Sequence, residues 1–587
     1  MRLIPVLLLI CLLQPITARA EEIRASFAMD EDPQFLVETR VKFFSPAYRP
    51  LWLEALARSE ADLQRQAAET IAQAHEFGFP GMAEARPRLL EILTAEKSHP
   101  TARFAAARAL IALDARDSVQ TLFETSQKYG ADLRQLLEPK LGVWKYPPLG
   151  EVWRSRLSSQ NVRLRELMLA IEGVTQMEDG DAVPSLLKIV HDAYGSPAVR
   201  LAAARAAGNL RESGLESDAD QLIGVADVPI LNRLCAGLLF ARHSSAASNA
   251  TLQKLAQDRE PSVVAMALTR LLKIDPELVV LLADVAMQNP DPKVRQLGSE
   301  AYIARPNPDR VVSLVRLLDD VHPQVRGAVR DALFVLSKRP EFDSVLRPAC
   351  MKVLAGESWR GQEQATLLLA RLDHKAAAPR LVQLLESPRD EVLMTAAWGL
   401  QKLAVPETLP AILDKAQRQT AIREATPVQP ISLDYQVVYL FETMGLMKYA
   451  PAEPLLRKHV PKNFGYGEYS RGAAIWALGY LYLDHPDEGL AKSLAERMAD
   501  TQSIPPETVH VQIMSAVAIG RMQAKSQTPA VKTLLGAGQG FSHVNQALRW
   551  TYIRLTGESL PAILPTRYSK SAWFLVPLDE QPVDATP

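Results

Sequence analysis

Residues Asp309 to Leu336 read DRVVSLVRLLDDVHPQVRGAVRDALFVL. Val311, Leu314, Val315 and Leu318 fall three and four apart, and so do Val325, Val329, Ala332, Leu333 and Leu336. That spacing gives two amphipathic helices, called A and B below. The turn between them, Asp319-Asp320-Val321-His322-Pro323, ends on a proline at the first turn of helix B, where a missing N–H does no harm.

The start of helix B recurs along the chain. Val199-Arg200-Leu201-Ala202-Ala203-Ala204-Arg205-Ala206-Ala207 and Val325-Arg326-Gly327-Ala328-Val329-Arg330-Asp331-Ala332-Leu333 are two copies, Val294-Arg295 opens a third and Ala102-Arg103 a fourth. Leu231, Val263, Val294 and Val325 follow Val199 at steps of 32, 32, 31 and 31 residues. Looser copies begin near Leu63, Val162, Val392, Val437, Ser470, Val511 and Val544, and others near Leu133 and Gln362. A repeat of this length is one hairpin that cannot hide its apolar flank alone and buries it against its neighbours. The expected fold is all-α, a right-handed α-solenoid of about fourteen helical hairpins with almost no strand. Counted from the motif arginine as zero, position six is small (Ala109, Ala206, Ala301, Ala332, Gly399, Ala477) and position seven larger (Leu110, Tyr302, Leu333, Leu400, Leu478). A small residue at a fixed point lets neighbouring helices approach, and the larger one fills the groove beside it.

Leu314, Leu317-Leu318 and Asp320, followed by Val325-Arg326 and Ala332-Leu333, resemble the HEAT-repeat family, with the best match over 309–336. The period near 31 is similar to the short bacterial HEAT-like units, including those of phycobilisome-lyase-type proteins. The resemblance covers most of the chain. It implies an armadillo-like helical array serving as a scaffold or partner-binding surface.

The outer segments differ from the repeats. Met1-Arg2, an apolar run from Leu3 to Leu13 and Ala18-Arg19-Ala20 read as a signal peptide over 1–20 cleaved after Ala20. That implies a periplasmic or secreted protein. Cleavage would remove Arg2 and Arg19 and leave 64 basic against 67 acidic residues, about −3. Such a balance gives no basic footprint for nucleic acid. No segment beyond the signal is apolar enough for a transmembrane helix. Residues 21–50, with Phe35, Phe43, Phe44 and Tyr48, read as a cap over the first repeat, 51–557 as the solenoid, and 558–587 as a C-terminal cap and flexible tail in which Trp573-Phe574-Leu575-Val576 folds over the last hairpin. Cys235 and Cys350 fall three or four hairpins apart, roughly 30–40 Å, too far for a disulfide.

No catalytic, cofactor-binding or metal motif is legible. H-E-x-x-H, G-x-S-x-G and C-x-x-C are missing. Gly536, Gly538 and Gly540 join two helices, without the strand a phosphate loop needs. His99-Pro100 and His322-Pro323 fall at one turn position, and Asp484-His485-Pro486-Asp487-Glu488 reads as a solvated turn. The lyase likeness would imply an enzyme, but lyases of that sort act on cytosolic pigment proteins, which an export signal opposes.

The functional signal is aromatic. Seven of fourteen tyrosines (Tyr435, Tyr439, Tyr449, Tyr466, Tyr469, Tyr480, Tyr482) lie in 48 residues with Phe441, Phe464 and Trp476. Position five of helix B lies about 130° from the buried stripe and should face solvent. It holds Arg108, Arg205, Glu300 and Asp331 in the N-terminal copies, but Trp398, Glu442, Trp476, Val517 and Trp550 in the C-terminal ones. Exposed aromatics on a concave face mark binding hot spots. The expected partner site is therefore Trp398, Glu442, Tyr466, Tyr469, Arg471, Trp476, Tyr480 and Trp550, holding a protein or peptide without catalysis. Core packing of the same rings, and an organiser role through helix edges in an envelope complex, are the competing readings.

Overall fold

The computed structural model describes residues 25–36, 40–42, 45–224, 227–426, 430–537, 541–563, 566–568 and 573–575. The expected signal over 1–20 and its cleavage site lie outside the described residues, as do Phe43, Phe44, Val576, Gly538 and Gly540. The fold is an α-solenoid of paired helices in two compact units. One holds the described residues between Thr39 and Ala301 together with those after Pro565. The other holds those up to Glu38 and from Tyr302 to Leu564.

In the first unit, α1 (Tyr48–Ala57) and α2 (Ala61–Glu76) form the first hairpin, and α3 (Arg86–Thr94) and α4 (Pro100–Ala112) the second. Helix B stacks on helix B, α2 against α4. The recurrent arginine explains itself here. Arg103, only 5% exposed, donates from Nε to the carbonyl of Leu93 (3.1 Å) and from Nη2 to that of Ala95 (2.7 Å), the unpaired end of α3. Arg200 reaches Val190 O (2.9 Å), Arg295 reaches Asn289 O and Pro290 O (2.9 and 2.8 Å), and Arg471 reaches His459 O (3.3 Å). Where the motif carries glutamine, Gln362 donates to Gly356 O (2.8 Å) and Gln512 to Asp500 O (3.1 Å). Helix A leaves its last carbonyls without intrahelical partners at a buried interface, and the motif side chain of helix B supplies the donors.

The expectation of almost no strand meets one exception, a parallel pair between β1 (Arg40–Lys42) and β2 (Thr566–Tyr568). The expected cap regions also differ. Trp573 packs on Trp52 of α1 (ring centroids 5.5 Å), and the Trp52 indole donates to Phe574 O (2.5 Å). The C-terminal aromatics therefore cover the first hairpin instead of the last. Within 21–50, Tyr48 stacks on Trp52 at 5.4 Å, on the first hairpin. Cys235 and Cys350 are buried free thiols, pushed up by burial, Cys235 to about 11 and Cys350 to about 12. Among the described residues no helix is long and apolar enough to cross a membrane.

Arg103→Met should lower the stability of the first unit by about 2 kcal/mol, because carbonyls once met by a charged donor stay buried. Arg108→Met, on the exposed side of α4, should stay within about 0.5 kcal/mol. Urea unfolding of the two variants checks both.

Candidate functional site

Six B helices of the second unit stack in order: α5 (Trp359–Arg371), α6 (Asp390–Leu403), α7 (Ile431–Leu446), α8 (Glu468–Leu481), α9 (Val509–Met522) and α10 (His543–Thr556). Small residues set the spacing. A Cβ on Gly445 would sit 2.6 Å from Ala477 Cα, and one on Gly479 2.9 Å from Ala518 Cα. Ala477 is the position-six residue of its repeat, so the small position does bring α7 and α8 together.

Position five does not meet solvent as expected. Trp398, Glu442, Trp476 and Val517 are buried, and Trp550 is half-buried. For Glu442 and Trp476 the cause is a strap formed by residues 25–36, which crosses α7 to α10 in one direction. Met29 N donates to Glu442 Oε1 (2.8 Å) on α7. Trp476 Nε1 on α8 donates to Asp32 O (2.7 Å). Arg521 Nη2 on α9 donates to Asp32 O (3.1 Å) and Asp32 Oδ2 (2.8 Å), and Tyr480 bonds the same carboxylate. On α10, Gln546 accepts from Leu36 N (2.6 Å) and donates to Leu36 O (2.7 Å), pairing with both main-chain polar groups of one residue as a neighbouring strand would. The strap makes one helical turn over Ala28–Glu31 and then runs without helix or strand from Asp32 to Leu36.

Side chains add to the main-chain bonds. The Phe27 ring lies against Tyr435, Tyr439 and Tyr469 (centroids 5.2, 5.0 and 5.9 Å). Met29 is fully buried. Arg521 lies over the rings of Tyr480 and Trp476, at 4.1 and 4.9 Å. Beside Phe27 a 560 Å³ cavity continues toward α5 and α6, lined by Glu363, Glu391, Met394 and Thr395.

Burial raises the Glu442 carboxyl to about 8. The backbone N–H groups of Met29 and Ala28 and the charge of Lys402 pull it down, and Asp30 pushes it up. Gln401 bonds the second carboxylate oxygen, and its own Oε1 has no partner. Turned over, that amide would accept the carboxyl proton.

The sequence-predicted residues thus divide. Glu442, Tyr469, Trp476 and Tyr480 gather round the strap. Arg471, expected among the polar contacts, is instead fully buried in a two-pronged pair with Glu507 (2.8 and 2.9 Å). Tyr466 stacks on buried His459 (4.4 Å) and bonds Glu424. Trp398 is buried in α6 with its indole N–H unpartnered, and Trp550 sits below Arg554 (5.6 Å). Arg521 and Gln546 were missed. Arg521 lies one turn past position five of its repeat, and Gln546 one turn before it.

Among the described residues, no three of His, Cys, Asp and Glu gather to hold a metal ion. Asp487, in the turn after His485, caps the next helix at Leu490 N (2.8 Å).

The sequence model of HEAT repeats matches residues 348–426. No curated protein matches the sequence. Among solved structures, Kap121p bound to Pho4p is similar with a TM-score of 0.51 at 12% identity over 87% of this chain and 57% of that one. Kap121p bound to Ste12p gives 0.50 at 12% over the same shares. Importin beta in an ammonium sulfate condition gives 0.48 at 14% over 86% and 72%. The chain thus spans little more than half of Kap121p, and at such identity the likeness is one of fold.

Glu442 titrates in a window set by its own shift. Between about pH 4.5 and about 8 the folded chain keeps a proton that the unfolded chain has lost, so stability falls as pH rises through that range. Glu442→Gln should flatten the difference between urea midpoints at pH 5.5 and 8.5.

Proposed function

We propose that the protein is an exported, non-catalytic scaffold that holds a protein or peptide partner on the helix-B face of its C-terminal repeats. One observation carries this reading. The face formed by Glu442, Trp476, Arg521 and Gln546 already holds a peptide segment, a helical turn over Ala28–Glu31 followed by an irregular run to Leu36, and holds it largely by its main chain. Bonds to N–H and C=O groups recognise a backbone path more than its side chains, while the tyrosines around Phe27 supply apolar contact area. Kap121p, of like fold, is bound to Pho4p and to Ste12p in the two structures above. The export reading rests on residues 1–20 and the site after Ala20.

A second reading, an organiser acting through helix edges, is favoured by Leu281 and Val285. They are 90% and 76% exposed, one turn apart on the helix Glu277–Ala286.

Photo-cross-linking in cells separates the two. Benzoylphenylalanine at Tyr469 should yield an adduct with a second protein, and at Leu281 or Glu496 none. An adduct from Leu281 alone would transfer the function to the helix edge. N-terminal sequencing of the exported chain should begin at Glu21.

A further inference from the structure

The strap does more than show that the face takes a peptide. It shows which peptide, and it occupies the place. Its side-chain contacts fall at fixed spacing: an aromatic ring among Tyr435, Tyr439 and Tyr469, an apolar side chain two residues on that is fully buried, and a carboxylate three residues further on Arg521 and Tyr480. Four residues beyond, Gln546 takes both main-chain polar groups of one residue and is indifferent to the side chain there, since Leu36 is 67% exposed.

The strap also fits the face incompletely. Arg521 is 4% exposed, yet its Nη1 has no hydrogen-bond partner. A buried guanidinium donor left unmet is costly, so a ligand that meets it gains over the strap. The 560 Å³ cavity beside Phe27, continuous with the strap's line, is a second place the strap leaves unfilled. A segment of the same chain needs little intrinsic affinity to sit here, because tethering supplies an effective concentration of order millimolar.

Resting on the reading of this face as a peptide-binding surface, we infer that residues 25–36 are a competitor in cis. The face's ligand in trans is a protein segment carrying aromatic–x–apolar–x–x–carboxylate, seated in the strap's place and making the same helical turn between the ring and the carboxylate. The strap then sets a threshold. The apparent affinity for the partner is reduced by the fraction of chains in which the face is open.

The test uses the whole exported chain and a fluorescent peptide, ASFAMDEDPQFL, which is the sequence of residues 25–36. Fluorescence anisotropy should show weak binding to the wild-type chain. Binding should be at least tenfold tighter to a chain with Met29→Gln and Asp32→Asn, in which the strap is weakened and the face untouched. The peptide with Asp32→Ala should bind that chain at least tenfold more weakly. Hydrogen exchange, read on the same samples, reports residues 25–36 separately from the repeats. In the wild type, excess peptide should speed exchange in 25–36 and leave α7 to α10 protected. If exchange in 25–36 rises in the double variant and the peptide still binds neither chain, the inference is overturned. A cross-linked partner at Tyr469 without peptide binding also overturns it, and leaves the scaffold reading standing. Peptide binding without a cross-linked partner supports it while removing that reading.

Discussion

Stacking helices side by side requires each to end inside an apolar interface, where its last carbonyls have no water to turn to. A buried donor at the start of helix B removes that difficulty in six of the hairpins. Arg103, Arg200, Arg295 and Arg471 reach back to the carbonyls that close helix A, and Gln362 and Gln512 do so with a neutral amide. The bond fixes the angle between the two helices of a hairpin as well as satisfying it, because a guanidinium spanning two carbonyls tolerates little rotation. Everything farther out depends on this register, since it decides which residues of helix B look toward the next hairpin and which look along the face.

Given that register, small residues bring the B helices close, as at Gly445 against Ala477 and Gly479 against Ala518. Close helices place one side chain per repeat on a common line. From α7 to α10 that line runs Glu442, Trp476, Arg521, Gln546, each within hydrogen-bond reach of the strap's main chain. The segment that fits this line does so with a helical turn over Ala28–Glu31 and an irregular run from Asp32 to Leu36.

The repeat was legible in the sequence because its causes are local. The carbonyl-binding arginine sits about ten residues after the helix end it serves, as in Arg103 and Leu93, and the small position recurs within one helix. The face was legible in part. Position five marked Glu442 and Trp476 correctly as lying on one line, and misjudged their surroundings. Solvent exposure was inferred from the angle to the buried stripe, and an angle says nothing of a segment hundreds of residues away. Met29 and Glu442 are separated by 413 positions, Leu36 and Gln546 by 510. Trp573 escaped for the same reason, since its partner Trp52 lies at the other end of the chain. Arg471 was misread differently. Its neighbours in sequence are aromatic, but its charge is matched by Glu507, which a periodic reading places in a different turn.

The charges along the face give it a direction. Glu442 accepts from a main-chain N–H at one end, and Arg521 receives a carbonyl and a carboxylate farther along. A segment laid the opposite way would move its N–H donor away from the Glu442 carboxyl and its carboxylate away from the guanidinium. Both mismatches would occur in a place where an unpaired polar group is expensive. The Glu442 carboxyl and the Arg521 guanidinium therefore discriminate orientation more than they add affinity. The aromatic rings do the complementary work: Tyr435, Tyr439 and Tyr469 pack against the Phe27 ring, and Trp476 lies beneath Arg521. Direction comes from the carboxylate and the guanidinium, adhesion from the rings.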